Sequence, residues 1–431
     1  MTAETGSAPV EDVDVVVVGA GPGGSATAAY LAAAGLDVVL LDKATFPRDK
    51  ICGDGLTPRA VRELHDLGVD TTGWARTLGL RVFGGGHRLL MPWPQTRSFP
   101  SYGLVRTRRQ LDENLVRHAE SRGARFLEGV SVSDPLRTDD GRVAGVSGHR
   151  VDPTGRRTGE SYAVRAPVVV AADGVSSRLA TAAGRQKRAD RVMGVAVRAY
   201  YTTTREDEYL ESYLELWTKD ATGADMLMPG YGWIFPLEDG RANVGLGILD
   251  TSKAFGRTDY KDVMARWVDT LTDRWGFVHD ASAGPIRGAA LPMGFNRSPL
   301  YADGLLLVGD AGGMVNPFNG EGIDYALQAG RIAADVVSGA LKERSPAARE
   351  QALTAYPSIM KDALGGYFTL GRWFAHAIGH PEVMRVATKY GLPRAALMRF
   401  LLKLMSNLPD DGGRRPSDVL INAMSRLAPD A

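Results

Sequence analysis

Two stretches of this 431-residue chain join residue types and spacings that carry chemistry. The first is Gly19-Ala20-Gly21-Pro22-Gly23-Gly24, a G-x-G-x-x-G run followed by Ser25 and, about twenty residues on, by Asp42 and Lys43. Glycine at 19 permits a tight turn, at 21 it lets the backbone approach a diphosphate, and at 24 it lets a helix pack close to a strand. A helix starting at Pro22 and Gly23 offers free N–H groups and partial positive charge to that diphosphate. Asp42 is placed to accept from both hydroxyls of an adenosine ribose and to repel the extra phosphate of NADP, so the nucleotide is FAD or NAD. The bland alternative is a glycine-rich turn that binds nothing.

The second stretch is Gly309-Asp310 at the end of an apolar run, then Pro317-Phe318-Asn319-Gly320-Glu321-Gly322 ahead of a helix at Ile323. Asp310 would sit at the carboxyl edge of a sheet, in reach of a ribityl hydroxyl. Gly320 and Gly322 let backbone approach an isoalloxazine, and a helix N-terminus at Ile323 favours the negative charge of a reduced flavin. Two such turns suit one extended FAD better than two separate nucleotides, although Gly309-Asp310 also reads as an ordinary strand-ending turn.

Reactive side chains are few. Cys52 is the only cysteine, in Lys50-Ile51-Cys52-Gly53-Asp54-Gly55; a lone cysteine is most often a small buried hydrophobe, and the alternative is a proton donor or a wall for the cofactor. Tyr231 and Trp233 lie in Tyr231-Gly232-Trp233-Ile234-Phe235-Pro236, an amphipathic strand whose aromatics are core on the plain reading. Isolated histidines such as His65, His87, His376 and His380 show no metal spacing, so no metal site is expected.

These residues need elements to hold them. Val15–Val18 is a continuous apolar run, the mark of a buried parallel strand; residues 22–34 form a small-residue helix and 37–41 a second strand, which together make a βαβ unit. Helices are expected at 58–67, 108–122 and 322–341, and buried strands at 164–172 and 304–308. Residues 190–300 change to short alternating, aromatic-rich segments, which indicate an antiparallel sheet. The expected fold class is α/β: a discontinuous Rossmann-type domain (1–78, 106–185, 300–345), an inserted antiparallel β-sheet substrate domain (79–105, 186–299) and a mostly helical C-terminal region (346–431).

Composition narrows the function. Lys plus Arg (51) nearly cancels Asp plus Glu (50), so no overall field attracts nucleic acid. One cysteine excludes an intramolecular disulfide and a multi-thiolate zinc site and suits a reducing cytoplasm. The polar N-terminus has no signal-peptide pattern and no apolar run approaches a membrane span, so a cytoplasmic protein is expected, soluble or at most peripheral to a membrane.

The motifs GAGPGGS (19–25), KICGDGL (50–56), RRQLDENL (108–115), ADGVSSRL around Asp173, YGWIFP (231–236) and VGDAGGMVNPFNGEGIDYAL (308–327) together resemble the geranylgeranyl reductase family of flavoproteins, within the group sharing the p-hydroxybenzoate hydroxylase type of FAD domain. The resemblance implies FAD as cofactor and flavin contacts from Cys52, Gly53, Gly55, Arg108 and the Val130 backbone, with Arg109 as the alternative to Arg108. Asp173 would hold the nucleotide-binding elements together, or be a turn residue. Tyr231 would donate a proton or orient substrate, and the strand would line an apolar tunnel for a polyprenyl chain, walled also by Leu227, Met228, Pro229, Leu291, Pro292 and Met293. The implied activity is reduction of isolated C=C bonds in a geranylgeranyl or menaquinone chain, with electrons from NADPH or a small redox protein. The alternatives are a flavin monooxygenase or halogenase of the same fold, from whose W-x-W-x-I-P run this strand departs at Tyr231, and a non-catalytic prenyl-binding escort. Trp373-Phe374-Ala375-His376 and the later Phe400–Met405 segment read as core helices in preference to a bilayer-facing surface.

Overall fold

A computed structural model describes residues 10–219, 222–251, 255–256, 258–277 and 284–429. Its centre is a six-stranded sheet in the order Tyr301–Ala302, Leu305–Leu307, Val168–Ala171, Val15–Val18, Val38–Leu41, Arg125–Leu127, parallel except for the first pair. The four strands in the middle are apolar at every position and fully buried, as expected where helices cover both faces of a parallel sheet. The Pro22–Ala33 helix packs on the Ile323–Leu341 helix through small residues. A Cβ on Gly330 would lie 2.8 Å from the Gly23 carbonyl oxygen, and one on Gly23 would lie 2.9 Å from Val308 Cγ1. The narrow face read from PGGSATAAYLAAA is therefore the price of close helix contact, and any larger side chain there forces the layers apart.

The strand expected over 164–172 is two strands. Val164 and Arg165 close the strand Arg157–Arg165, which pairs with Val143–Val151 in a four-stranded sheet, and Val168–Ala171 enters the parallel sheet. Pro167 sits at the break, where its missing N–H cannot serve a ladder.

A seven-stranded sheet has the order Arg287–Pro292, Met193–Thr202, Arg241–Leu249, Gly230–Pro236, Tyr209–Tyr213, Gly79–Gly84, His87–Pro92, antiparallel except where Tyr209–Tyr213 meets Gly79–Gly84. Gly103–Val105 instead pairs with Gly55–Leu56 and Ala75–Thr77 in a small sheet beside the cofactor loop. Alternation gives the seven-stranded sheet two faces. Val197, Ala199, Tyr201, Ile234 and Val244 form a core with the Tyr260–Asp269 helix and Trp275, while Arg198, Tyr200, Tyr231, Trp233, Phe235 and Asn243 alternate with them. Residues 346–429 are mostly helical, with helices at Pro346–Leu353, Tyr356–Ile378, Pro381–Val386, Ala395–Met405 and Pro416–Leu427. Among the described residues no helix is long and apolar enough to cross a membrane.

Candidate active site

The nucleotide end is built from backbone. Gly19 has φ +101°, and a Cβ there would lie 2.3 Å from the Ala172 carbonyl oxygen; a Cβ on Gly24 would meet the Gly19 carbonyl oxygen at 1.8 Å. Gly21 differs, for a Cβ there would meet only Arg48 Nη2, 4.0 Å away, so open space lies in front of it. No side chain caps the Pro22–Ala33 helix, and its first-turn N–H groups have no intrahelical acceptor. Asp42 accepts from Ala20 N and Ala44 N, both at 2.9 Å, and lies 3.8 Å from Arg48. Each carboxylate oxygen keeps lone-pair capacity for a ribose hydroxyl. Ser25 is fully buried, and its hydroxyl oxygen has no partner among the described residues.

Lys43, expected at this site beside Asp42, has an exposed side chain, two residues beyond the end of the buried Val38–Leu41 strand. The cations that face the site are Arg48 and Lys50. Arg48 reaches Asp112 at 2.7 Å. Lys50 is largely buried, has no salt-bridge partner among the described residues, and lies against Gly174, where a Cβ would sit 3.8 Å from Nζ. Burial pulls its ammonium down from its ordinary value, opposed by the Asp310 charge. Asp310 is pushed up by burial, against the pull of Lys50 and then Arg108. An open cradle at a helix N-terminus and an unpaired, desolvated lysine fit the diphosphate of FAD. Asp173 accepts from Ser177 Oγ at 2.5 Å and Leu179 N at 3.3 Å, so it ties down the turn before the 178–182 helix. Val130 donates its N–H to the Asp42 carbonyl at 2.9 Å, which leaves only its carbonyl for another partner.

At the reactive end the Cys52 loop meets the seven-stranded sheet. Asp54, fully buried with φ +66°, accepts from Arg108 N at 2.9 Å, Tyr200 Oη at 2.7 Å and Asn243 Nδ2 at 2.7 Å. Asn243 also donates to the Cys52 carbonyl at 2.8 Å and accepts from Trp233 Nε1 at 2.9 Å. Trp233 is thus an anchor and a wall, its only polar atom already committed. Arg108, buried, forks onto Asp112 at 2.7 and 2.8 Å, whereas Arg109 is exposed. Burial works against the Arg108 charge, but Asp112 and Cys52 more than offset it. Burial pushes the Cys52 thiol up, with Arg108 drawing it back. Gly53 and Gly55 lie under Phe235, where a Cβ would come within 3.0 and 2.9 Å of its ring.

Tyr231 donates to the Asn319 carbonyl at 2.8 Å, and burial raises its hydroxyl, with Glu321 and Cys52 adding to the rise. Gly309 (φ +63°) and Gly320 (φ +78°) occupy left-handed backbone, and Gly322 caps the Ile323 helix 3.6 Å, at its would-be Cβ, from Asp310 Oδ1. Leu291 and Met293 face Gly320 at 3.5 and 4.0 Å from a would-be Cβ. Met228 does not reach this wall, because it lies in the core with Trp275 on the far face of the sheet; Leu227 is buried but does not belong to that core.

Glu321 was not singled out in the sequence and stands in the same loop. Thr57 donates to its Oε1, its buried Oε2 has no partner among the described residues, and burial lifts its carboxyl to about 7. Two loops, 50–57 and 316–322, thus enclose a thiol, a phenol and a carboxylic acid against an aromatic sheet face. Among the described residues no His, Cys, Asp and Glu cluster could hold a metal.

Residues 12–360 match the family described as FAD binding domain; the chain belongs to that family of flavoproteins, and its cofactor is FAD. Within it the chain is 39% identical over 409 residues to a menaquinone reductase of Mycobacterium tuberculosis, covering 94% of this chain and 93% of that one. It is 34% identical over 340 residues to a digeranylgeranylglycerophospholipid reductase of Methanopyrus kandleri, 77% of this chain and 78% of the other. Among solved structures, a geranylgeranyl bacteriochlorophyll reductase-like protein of Thermoplasma acidophilum shares the fold with a TM-score of 0.72 at 22% identity, over 91% of this chain and 100% of that one. The flavin-dependent brominase Bmp2 shares it at 0.71 and 20%, over 96% and 98%. The family resemblance read from the motifs is borne out.

Proposed function

We propose that this flavoprotein reduces isolated C=C bonds in a polyprenyl chain, the side chain of a menaquinone or of a related geranylgeranyl lipid. The observation that carries this reading is the pair of relatives: menaquinone and digeranylgeranylglycerophospholipid have dissimilar head groups and share long unsaturated prenyl chains. Reduced FAD, when bound, supplies hydride. The protein's own residues do the rest. Gly21, Lys50, Arg48 and the first turn at Pro22 hold the diphosphate, Asp42 the ribose, and Asp310 the ribityl chain. Tyr231, Trp233 and Phe235 offer an apolar face that excludes water. A saturated product needs one proton per hydride, and Cys52, its thiol kept protonated by burial, is the donor on the substrate side. Electrons come from NADPH or a small redox protein, and the enzyme works in the cytoplasm at a membrane surface, where such chains reside.

The test is anaerobic. The purified protein's flavin is reduced, a menaquinone or geranylgeranyl compound is added, and flavin reoxidation is followed with product mass. A gain of two hydrogens per reduced bond supports the proposal. A flavin that stays reduced until oxygen enters, with oxygen then found in the product, replaces it with a monooxygenase.

A further inference from the structure

The helical segment that follows Trp373 carries an apolar surface that no other described residue covers. Trp373, Val386 and Tyr390 are 54%, 58% and 53% exposed, and Val383 and Leu397 are exposed with them. Val383, Val386 and Tyr390 recur at helical spacing, opposite the buried Met384 and Thr388 that seat the Pro381–Val386 helix and the turn after it. Residues 372–399 contain five cations (Arg372, Arg385, Lys389, Arg394 and Arg399) against one acid, Glu382. The whole chain has a net charge of only +1, so the positive charge is local. Arg385, Lys389, Arg394 and Arg399 are exposed and form no salt bridge among the described residues. Arg394 instead donates to the Tyr390 carbonyl, and Lys389 lies 5.3 Å from the Tyr390 ring. Aromatic and aliphatic side chains ringed by unpaired cations match the hydrocarbon–headgroup boundary of an anionic bilayer.

The segment is also joined to the substrate sheet. A Cβ on Gly84 would lie 3.1 Å from Leu392 and 3.3 Å from Thr388, and Gly84, Phe83, Tyr213, Trp217 and Trp267 line a cavity of about 360 Å3. Leu392, Met398 and Leu402 share one buried cluster with Phe235, whose ring covers Gly53 and Gly55. The surface is therefore one packed layer from the Cys52 loop.

We infer that residues 373–399 dock this enzyme on anionic lipid bilayers, from which it takes its substrate. The inference rests on the proposed prenyl-lipid reading for its purpose but is tested apart from it. Flavin-loaded protein is sedimented with phosphatidylglycerol-containing and with pure phosphatidylcholine vesicles. Binding is expected on the former, weakening as salt rises. Each cation near such a surface strengthens binding about five-fold, so the quadruple variant Arg385→Gln/Lys389→Gln/Arg394→Gln/Arg399→Gln should lose roughly 100-fold or more. Trp373→Ser/Val386→Ser/Tyr390→Ser should lose binding to the phosphatidylglycerol-containing vesicles, with flavin content unchanged. Parent protein that ignores anionic vesicles, or variants that bind like the parent, overturn the inference; so does a dimer that the triple variant breaks without any vesicle binding. Turnover separates the two readings. Vesicle-embedded substrate should be reduced about ten-fold more slowly by the variants and detergent-dispersed substrate at the parent rate. If the parent reduces neither, the functional reading fails while vesicle binding still decides the docking face.

Discussion

Replacing Asp54 with asparagine isolates what holds the Cys52 loop in place. Asparagine has the same shape and tolerates the left-handed backbone at φ +66°, so only hydrogen bonding changes. All three of the carboxylate's partners, Arg108 N, Tyr200 Oη and Asn243 Nδ2, are donors. An amide must turn its NH2 toward at least one of them. Turned toward Arg108 N it orphans one buried donor; turned the other way it confronts Asn243 Nδ2, while the Tyr200 hydroxyl can rotate to accept. The cheaper arrangement costs about 1–3 kcal/mol. Because Cys52 is the only thiol, its alkylation reports opening of this loop without any label being introduced. With about 1.4 kcal/mol per factor of ten, Asp54→Asn should speed alkylation about 5- to 150-fold. Losing the Asp54 charge also eases thiol ionisation, so rates are compared across pH and only the pH-independent gain is assigned to opening. Folded Asp54→Asn protein that alkylates at the parent's pH-corrected rate would refute the reasoning.

Glu321, lifted by burial to about 7, is protonated in the fold and ionises near 4.3 in the unfolded chain, about 4.3 being the ordinary value. Its contribution to stability is therefore full below about 4.3 and is lost as pH rises to about 7; Glu321→Gln should flatten that part of the slope in urea titrations at pH 5 and 7.5. Gly24→Ala places a methyl 1.8 Å from the Gly19 carbonyl oxygen and should lower the melting temperature of the flavin-free protein. Gly21→Ala, facing open space, should leave that temperature unchanged and weaken FAD binding in a flavin titration. Lys50→Met removes the unpaired cation at the proposed diphosphate site and should weaken FAD binding about 10- to 100-fold, an effect larger than that of Lys43→Met at its exposed position.

Much of the cofactor domain was legible because its signals are local. A run such as Val15–Val18 announces a strand buried on both faces, and glycines at 19, 21 and 24 announce a turn, an approach and a packing contact within six residues. The sequence says less where a property depends on orientation. Lys43 and Lys50 are both cations near the same strand end, and nothing in either neighbourhood says which side chain turns inward. Met228 is as apolar as Met293, but the first points into the core with Trp275 and the second toward Gly320, a difference set by strand register and by the alternation of faces. The split at Pro167 was visible in principle, since proline cannot donate to a ladder, yet the surrounding valines masked it.

By itself the sequence determined the cofactor class, the βαβ start and the candidate thiol, since each is written in neighbouring residues whose chemistry needs no distant partner. Only the tertiary structure decided how that thiol is held. Asp54 and Asn243 are 189 residues apart in the chain, and a carboxylate in the one and an amide in the other carry no mark of their pairing until the Cys52 loop meets the seven-stranded sheet. Burial likewise belongs to the assembled molecule: Glu321 reads as an ordinary surface acid in PFNGEG, and its carboxyl is lifted to about 7 only because packing removes its water.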